Sequence, residues 1–255
     1  MNAMAEKAPM LVFIHVPKTA GGSLRQWLIK SFDGSVLIQG RPRPERSTGI
    51  EGISWGNFGD LKADVADFSD LLKMHGPAAV SRYRVIGGHI DSNHPLILGM
   101  ERQKLFCAVL RDPVERAISR YAFVRRKNKP QNEFMAGLTL YQALQTKRFR
   151  SSIENRQLRF IFGDQKAFPG WTILAKFDSL DLLTQRLSEI YGLEALPVPF
   201  QTSKITEKAF VYEQPDFLKA VNLLRKLNKK EIAFINAMDG VKEMHCPDTF
   251  LPNRR

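Results

Sequence analysis

Cysteine is nearly absent from this sequence. Its two thiols, Cys107 inside an apolar run and Cys246 near the C-terminus, are too few for a disulfide framework, which points to a reducing compartment. No apolar run approaches the ~20 residues that span a bilayer. Residues 1–10 also lack the apolar core of a secretory signal, so the expectation is a cytoplasmic protein with no transmembrane segment. Five histidines and two cysteines stand at no spacing suited to a metal, and none is expected. Acidic residues are scarce: 26 Asp and Glu against 38 Lys and Arg leave a formal charge of +12, which favours anionic partners. Helix-turn-helix, zinc and RNA-recognition signatures are missing, so nucleic acid is not expected among them. No repeat or low-complexity tract is present.

What is there reads as ordinary globular chain. A hydrophobic content of 44% over 255 residues is enough for a full core, and one α/β domain over residues 1–255 is the simplest reading. The organising stretch is residues 11–24, LVFIHVPKTAGGSL. Residues 11–16 are apolar and β-branched, as in a buried parallel strand, and stop at Pro17. Lys18, Thr19, Ala20, Gly21, Gly22 and Ser23 form a small-residue turn, after which Leu24, Trp27 and Leu28 recur at helical spacing. Adjacent glycines let backbone N–H groups approach an anion, Ser23 is placed to cap the helix, and the helix N-terminus favours negative charge. Lys18 adds a cation and Thr19 a hydroxyl. This is not a Walker A loop, because the lysine precedes the glycines instead of following them.

Residues 41–60 are rich in Gly, Pro and Arg and read as a long loop, in which Arg41, Arg43 and Arg46 either line an acidic site or are simply solvated. A helix is expected over 67–75, a second short one over 78–84, and a strand over 84–90 that ends in Gly87, Gly88 and His89. A histidine at a strand end is either a base or a group that satisfies backbone atoms. Residues 104–110 are the most strand-like run. There Asp112, Pro113 and Glu115 have the spacing of a capped helix start, with Glu115 set for a capping box. Val114, Ala117, Ile118, Tyr121 and Ala122 form the buried stripe of that helix. Arg111 stands at the strand–helix junction and Ser119 two turns on. Helices over 140–146 and 152–162, with Gly163 as a stop, precede a strand over 171–177. A helix with Leu182, Leu183, Leu187 and Ile190 on its apolar face ends at Gly192, a loop follows over 197–208, and helices over 216–227 and 230–238 close the chain.

VPKTAGGSL at 16–24 and LRDPVERAISRY at 110–121 resemble the two cofactor signatures of the sulfotransferases, of the family-2 type that includes glycan 2-O-sulfotransferases and many bacterial enzymes. The resemblance implies a P-loop-like three-layer fold, a central mostly parallel sheet flanked by helices. It also implies 3′-phosphoadenosine 5′-phosphosulfate as co-substrate. Lys18, Thr19, Ala20, Gly21, Gly22, Ser23 and Leu24 would surround its 5′-phosphosulfate, and Arg111 and Ser119, eight positions apart, its 3′-phosphate. Gly88-His89-Ile90, Asn155-Arg156-Gln157 and Phe177-Asp178-Ser179-Leu180 resemble further family segments. The sequence departs from the family in showing a single histidine at 89 instead of a His-x-His pair. It also has Gln201-Thr202-Ser203-Lys204 where Asn-x-Ser is common, with Ser203 and Lys204 as the implied contacts. The reaction implied is in-line transfer of a sulfuryl group to an acceptor hydroxyl. Lys18 would stand at the bridging oxygen, His89 would act as base and no metal would be needed. A saccharide is the expected acceptor, an acidic one being permitted by the arginine loop; a lipid, a small metabolite or a peptide tyrosine fits the same machinery. His94 is the next candidate base, while His15 belongs to the apolar strand. A P-loop-type kinase or NTPase and a non-enzymatic polyanion binder are the competing readings.

Overall fold

A computed structural model describes residues 8–58, 60–127, 130–163, 171–199 and 208–244. In chain order the elements begin with β1 (Met10–Ile14), α1 (Gly21–Ser31), β2 (Val36–Gln39), β3 (Ile53–Phe58), β4 (Leu61–Ala66), α2 (Phe68–His75), β5 (Val85–Gly88), α3 (Pro95–Leu98) and β6 (Lys104–Leu110). They continue with α4 (Pro113–Lys127), α5 (Leu140–Gln145), α6 (Lys147–Ser151), α7 (Arg156–Phe162), β7 (Trp171–Lys176), α8 (Leu180–Tyr191), α9 (Ala209–Tyr212), α10 (Phe217–Leu227), α11 (Lys229–Asn236) and β8 (Val241–Met244). The strands form one eight-stranded sheet in the order β3-β4-β2-β5-β1-β6-β7-β8. The six inner strands run parallel, and β3 and β8 are antiparallel edges. This is an α/β fold with a mostly parallel central sheet flanked by helices, of the P-loop-like three-layer kind.

Strand β1 shows why both faces are covered. Its residues alternate across the sheet, so Met10, Val12 and Ile14 enter one apolar cluster while Leu11 and Phe13 enter another. The first cluster receives Phe68 and Leu71 of α2, Ile161 of α7 and Ile235 of α11. The second receives Leu24, Trp27 and Leu28 of α1 with Leu180, Leu183 and Leu187 of α8. A third cluster lies outside the sheet, where Ala117, Ile118 and Tyr121 of α4 meet Leu140 and Leu144 of α5 and Leu224 of α10. Among the described residues no helix is long and apolar enough to cross a membrane.

Several sequence expectations are corrected. The 41–60 stretch is not loop throughout: its second half is β3, paired antiparallel with β4 from Ile53↔Ala66 to Phe58↔Leu61. Edge strand β8 was not expected. The 78–84 helix is instead a one-turn 3₁₀ segment, Pro77–Val80. The helix expected over 152–162 begins at Arg156, after Asn155 turns the chain at a left-handed φ of 43°, and α6 precedes it. Leu182 does not face the core, being 54% exposed, and Leu180 and Tyr191 take its place in the α8 stripe.

Topology fixes where a ligand would gather. The chain leaves β1 towards β2 on one side of the sheet and leaves β6 towards β7 on the other. The carboxyl ends of β1 and β6 therefore flank a switch point, the crevice where open α/β sheets bind ligands.

Candidate active site

Residues 15–21 and Arg111 emerge at that crevice, from the ends of β1 and β6. The first loop is held in a backbone shape that L-residues seldom adopt. Lys18 (φ 74°) and Ala20 (φ 64°) are both left-handed, at roughly 1–3 kcal/mol each. Such turns aim successive N–H groups into one concavity that suits an anion. The hydroxyl of Thr19, read from sequence as a ligand group, instead pins the loop: it is buried and donates to the Val16 carbonyl at 2.9 Å. Helix α1 starts at Gly21, with Ala20 as N-cap and no side-chain cap, so Ser23 lies buried within the first turn and is not the cap. Leu24 is part of the core and returns its N–H to Ala20 at 3.2 Å. Gly22 sits half-buried in the same turn.

Gly21 has a function the sequence did not disclose. A Cβ there would stand 1.9 Å from His15 Cδ2 and 2.1 Å from Nε2. The glycine makes room for the imidazole. His15, 9% exposed, stacks on Phe13 at 5.5 Å and on His89 at 4.2 Å between ring centroids. Its carbonyl lies 2.9 Å from His89 Nδ1. A carbonyl only accepts, so Nδ1 of His89 carries the proton and Nε2 keeps its lone pair. The His89 residue is exposed to solvent. Burial of its inner side is nonetheless the largest influence on its pKa and pushes it below its ordinary value; the His15 carbonyl opposes this, while the charges of Arg25 and Arg120 reinforce it. His15 is lowered further still, mainly by burial and then by His89, Arg25 and Lys18. The alternative base, His94, is engaged as the N-cap of α3: Nδ1 accepts from Leu96 N–H at 3.2 Å and Nε2 lies 3.4 Å from Ser69 Oγ.

Three cations bear on this histidine pair. Lys18 Nζ lies 4.5 Å from the centroid of the Phe123 ring. Arg25, one helical turn beyond Gly21, stacks on Phe58 at 4.5 Å, and its Nε is buried with no hydrogen-bond partner among the described residues. Arg120 follows Ser119 on α4 and is lowered by burial and by Arg156. Among the described residues neither Arg25 nor Arg120 has an ion pair with a carboxylate. Sequence reading missed both. The available signal was position alone: each arginine sits within a turn of a motif residue, on the helix that the motif opens.

Arg111 is fixed by its backbone before its side chain is considered. Its N–H donates to Gln157 Oε1 at 2.9 Å, and its carbonyl accepts from Gln157 Nε2 at 2.8 Å. Behind that clamp, the carboxylate of Glu231 accepts from Gln157 Nε2 at 2.8 Å, Gln157 N–H at 2.7 Å and Leu158 N–H at 3.1 Å. Buried Arg116 donates to the Ile153 carbonyl at 2.8 Å; burial lowers its pKa to about 10, with Glu231 opposing. The Arg111 guanidinium stacks on Phe177 at 4.6 Å and pairs with Glu115 at 3.3 Å. Asp112 caps α4 as expected, accepting from Glu115 N–H at 2.9 Å. The Glu115 carboxylate, expected to complete a capping box, instead receives Arg111, Lys208 Nζ at 3.3 Å and the Tyr212 hydroxyl at 3.5 Å. Ser119 is buried on α4, two turns past Arg111. Ser203 and Lys204 lie outside the described residues. The loop, both histidines and Arg111 thus share one rim. Compared with models of known protein families and with curated proteins, the chain matches none.

Proposed function

We propose that this protein is a sulfotransferase that moves a sulfuryl group from 3′-phosphoadenosine 5′-phosphosulfate to a hydroxyl of an acceptor, a saccharide being the acceptor class favoured. One observation carries the reading. His89 has Nδ1 committed to a carbonyl and Nε2 unprotonated, beside a left-handed loop and three cations at the switch point of the sheet. Among the described residues Arg25 has no ion pair, which leaves its charge for an anionic guest at this place.

When bound, the co-substrate supplies an activated sulfuryl group next to a phosphate leaving group. The chain's own residues supply the rest. Because burial depresses its pKa, His89 is neutral near pH 7 and takes the acceptor proton at Nε2, a role worth roughly 10²–10⁴ in rate. Lys18 and the N–H groups of residues 20–22 provide fixed positive charge for the leaving oxygen, positioned in advance by the loop's strained shape. Arg111 uses one edge of its fork on Glu115 and keeps further N–H donors for the 3′-phosphate, which Ser119, two turns along α4, would also contact.

The test is release of 3′-phosphoadenosine 5′-phosphate from the phosphosulfate with a panel of hydroxyl acceptors, for wild type, Lys18→Ala and His89→Ala. Acceptor-dependent release that both variants lose supports the reading. Mg²⁺-dependent ATP hydrolysis without such release would replace it with the kinase or NTPase reading.

A further inference from the structure

At the outer edge of the sheet, where the chain leaving β2 packs along β3, lies a cavity of about 360 Å³ lined by Arg41, Arg43, Arg46, Ser54, Trp55 and Asn57, among others. We propose that it is a second anion site, which holds a carboxylate, sulfate or phosphate monoester carried by the acceptor at a distance from the reacting hydroxyl; the word acceptor rests on the transfer reaction proposed above.

The pocket is built, not merely charged. The one-turn 3₁₀ segment Pro44–Arg46 is closed by Arg46 N–H donating to the Arg43 carbonyl at 2.8 Å. That segment is tied to β3 because Arg43 N–H donates to the buried Ser54 Oγ at 2.8 Å and Ser47 bridges Ser54. Arg46 stacks on Trp55 at 4.8 Å and Lys62 on the same ring at 4.6 Å, so a fourth cation stands near the three arginines. The carboxylate closest in register, Asp64 opposite Trp55, is committed elsewhere, to Arg82 at 3.0 Å and Tyr83 at 2.6 Å. Among the described residues none of Arg41, Arg43 and Arg46 has an ion pair. Guanidinium groups held together with no internal counter-ion repel one another unless an external anion joins them, and their planar forks match oxyanions.

Position turns the pocket into a length requirement. From β5, which carries His89 at its end, to β3 there are three interstrand steps, or roughly 14 Å at ~4.8 Å each. A ligand that engages both places must be extended and must carry negative charge well away from its reacting hydroxyl. A small neutral metabolite meets neither condition.

The test is calorimetry on wild type and on Arg43→Gln/Arg46→Gln. The probes are a uronic acid trisaccharide, the same trisaccharide with its carboxylates reduced to alcohols, and inorganic phosphate, with 3′-phosphoadenosine 5′-phosphate titrated separately. Arg43 is exposed and Arg46 half-buried against Trp55, outside the apolar clusters, so the variant is expected to fold. The proposal predicts that the uronate binds wild type at least ~10-fold more tightly than the variant, that the reduced sugar does not bind, and that the nucleotide binds both proteins equally. Equal uronate affinity in the two proteins, or equal affinity for the charged and reduced sugars, overturns it. Arginine-dependent binding of phosphate without the uronate overturns the acceptor assignment in favour of a free ion. Arginine-dependent uronate binding in a protein that binds no nucleotide upholds the pocket and removes the transfer reaction.

Discussion

Gly21→Ala sets two effects of opposite sign against each other, and the structure decides between them. Alanine at the start of α1 gains up to about 1 kcal/mol in helix propensity. Against this, its Cβ would stand 1.9 Å from His15 Cδ2, about 2 Å inside ordinary carbon–carbon contact. The ring cannot swing aside without loss, because it is stacked between Phe13 and His89 and is almost fully buried. Overpacking of this kind costs typically 1–3 kcal/mol, so even with the full propensity gain the net change is a destabilisation of up to about 2 kcal/mol. Urea unfolding of Gly21→Ala, His15→Ala and the double variant measures it. Removal of the imidazole frees the space, so the double variant is expected to be more stable than the sum of the single changes by about 1 kcal/mol or more. On the proposed function, a displaced His15 also disturbs the stack on His89 and the loop that would hold the nucleotide, so turnover and nucleotide affinity both fall. If Gly21→Ala stabilised the protein and the two changes were additive, the His15–Gly21 contact would not constrain the loop, and the reasoning would be wrong.

Two further outcomes follow from the same geometry. If His89 is the base proposed, protonation of Nε2 disables it, and because its pKa lies below the ordinary value near 6.5 the acid limb of kcat/KM is expected below that pH. Arg25→Met removes a repelling cation and moves the limb upward; a wild-type limb above 6.5, or one unmoved in the variant, contradicts the assignment. Glu231→Gln weakens the three hydrogen bonds that its carboxylate accepts and removes a charge that favours buried Arg116, at about 1–3 kcal/mol in urea unfolding, and Arg116→Met added to it restores part of the loss. A cost below ~1 kcal/mol would mean that the pair is not coupled.

Legibility in the sequence followed hydrophobic continuity. Strand β6 is legible at its observed bounds because KLFCAVL is covered on both faces, and α2 to within one residue because Asp67 caps it, accepting from Ser69 and Asp70 N–H, while Gly76 closes the other end. Strand β3 was hidden because ISWGNF carries Gly56 and Asn57, and an edge strand needs little apolar content. VKEM in β8 is polar for the same reason. At the site, motif spacing marked positions that the fold places at the carboxyl ends of β1, β5 and β6. It misread two local contacts, Ser23 as the cap of α1 and Glu115 as the second half of a capping box, since a hydroxyl or carboxylate takes whichever partner the backbone brings nearest. The cavity beside Gly21 and the inward reach of Arg25 are three-dimensional facts with no local pattern.

The central claim is best tested by calorimetric binding of 3′-phosphoadenosine 5′-phosphate beside ADP, in wild type and Arg111→Ala. The first nucleotide should bind more tightly than ADP, and Arg111→Ala should erase that preference. A charge-assisted contact to the 3′-phosphate is worth about 1.5–3 kcal/mol, or roughly 10- to 150-fold in affinity. Equal affinity for the two nucleotides, or a preference that survives Arg111→Ala, would contradict the account.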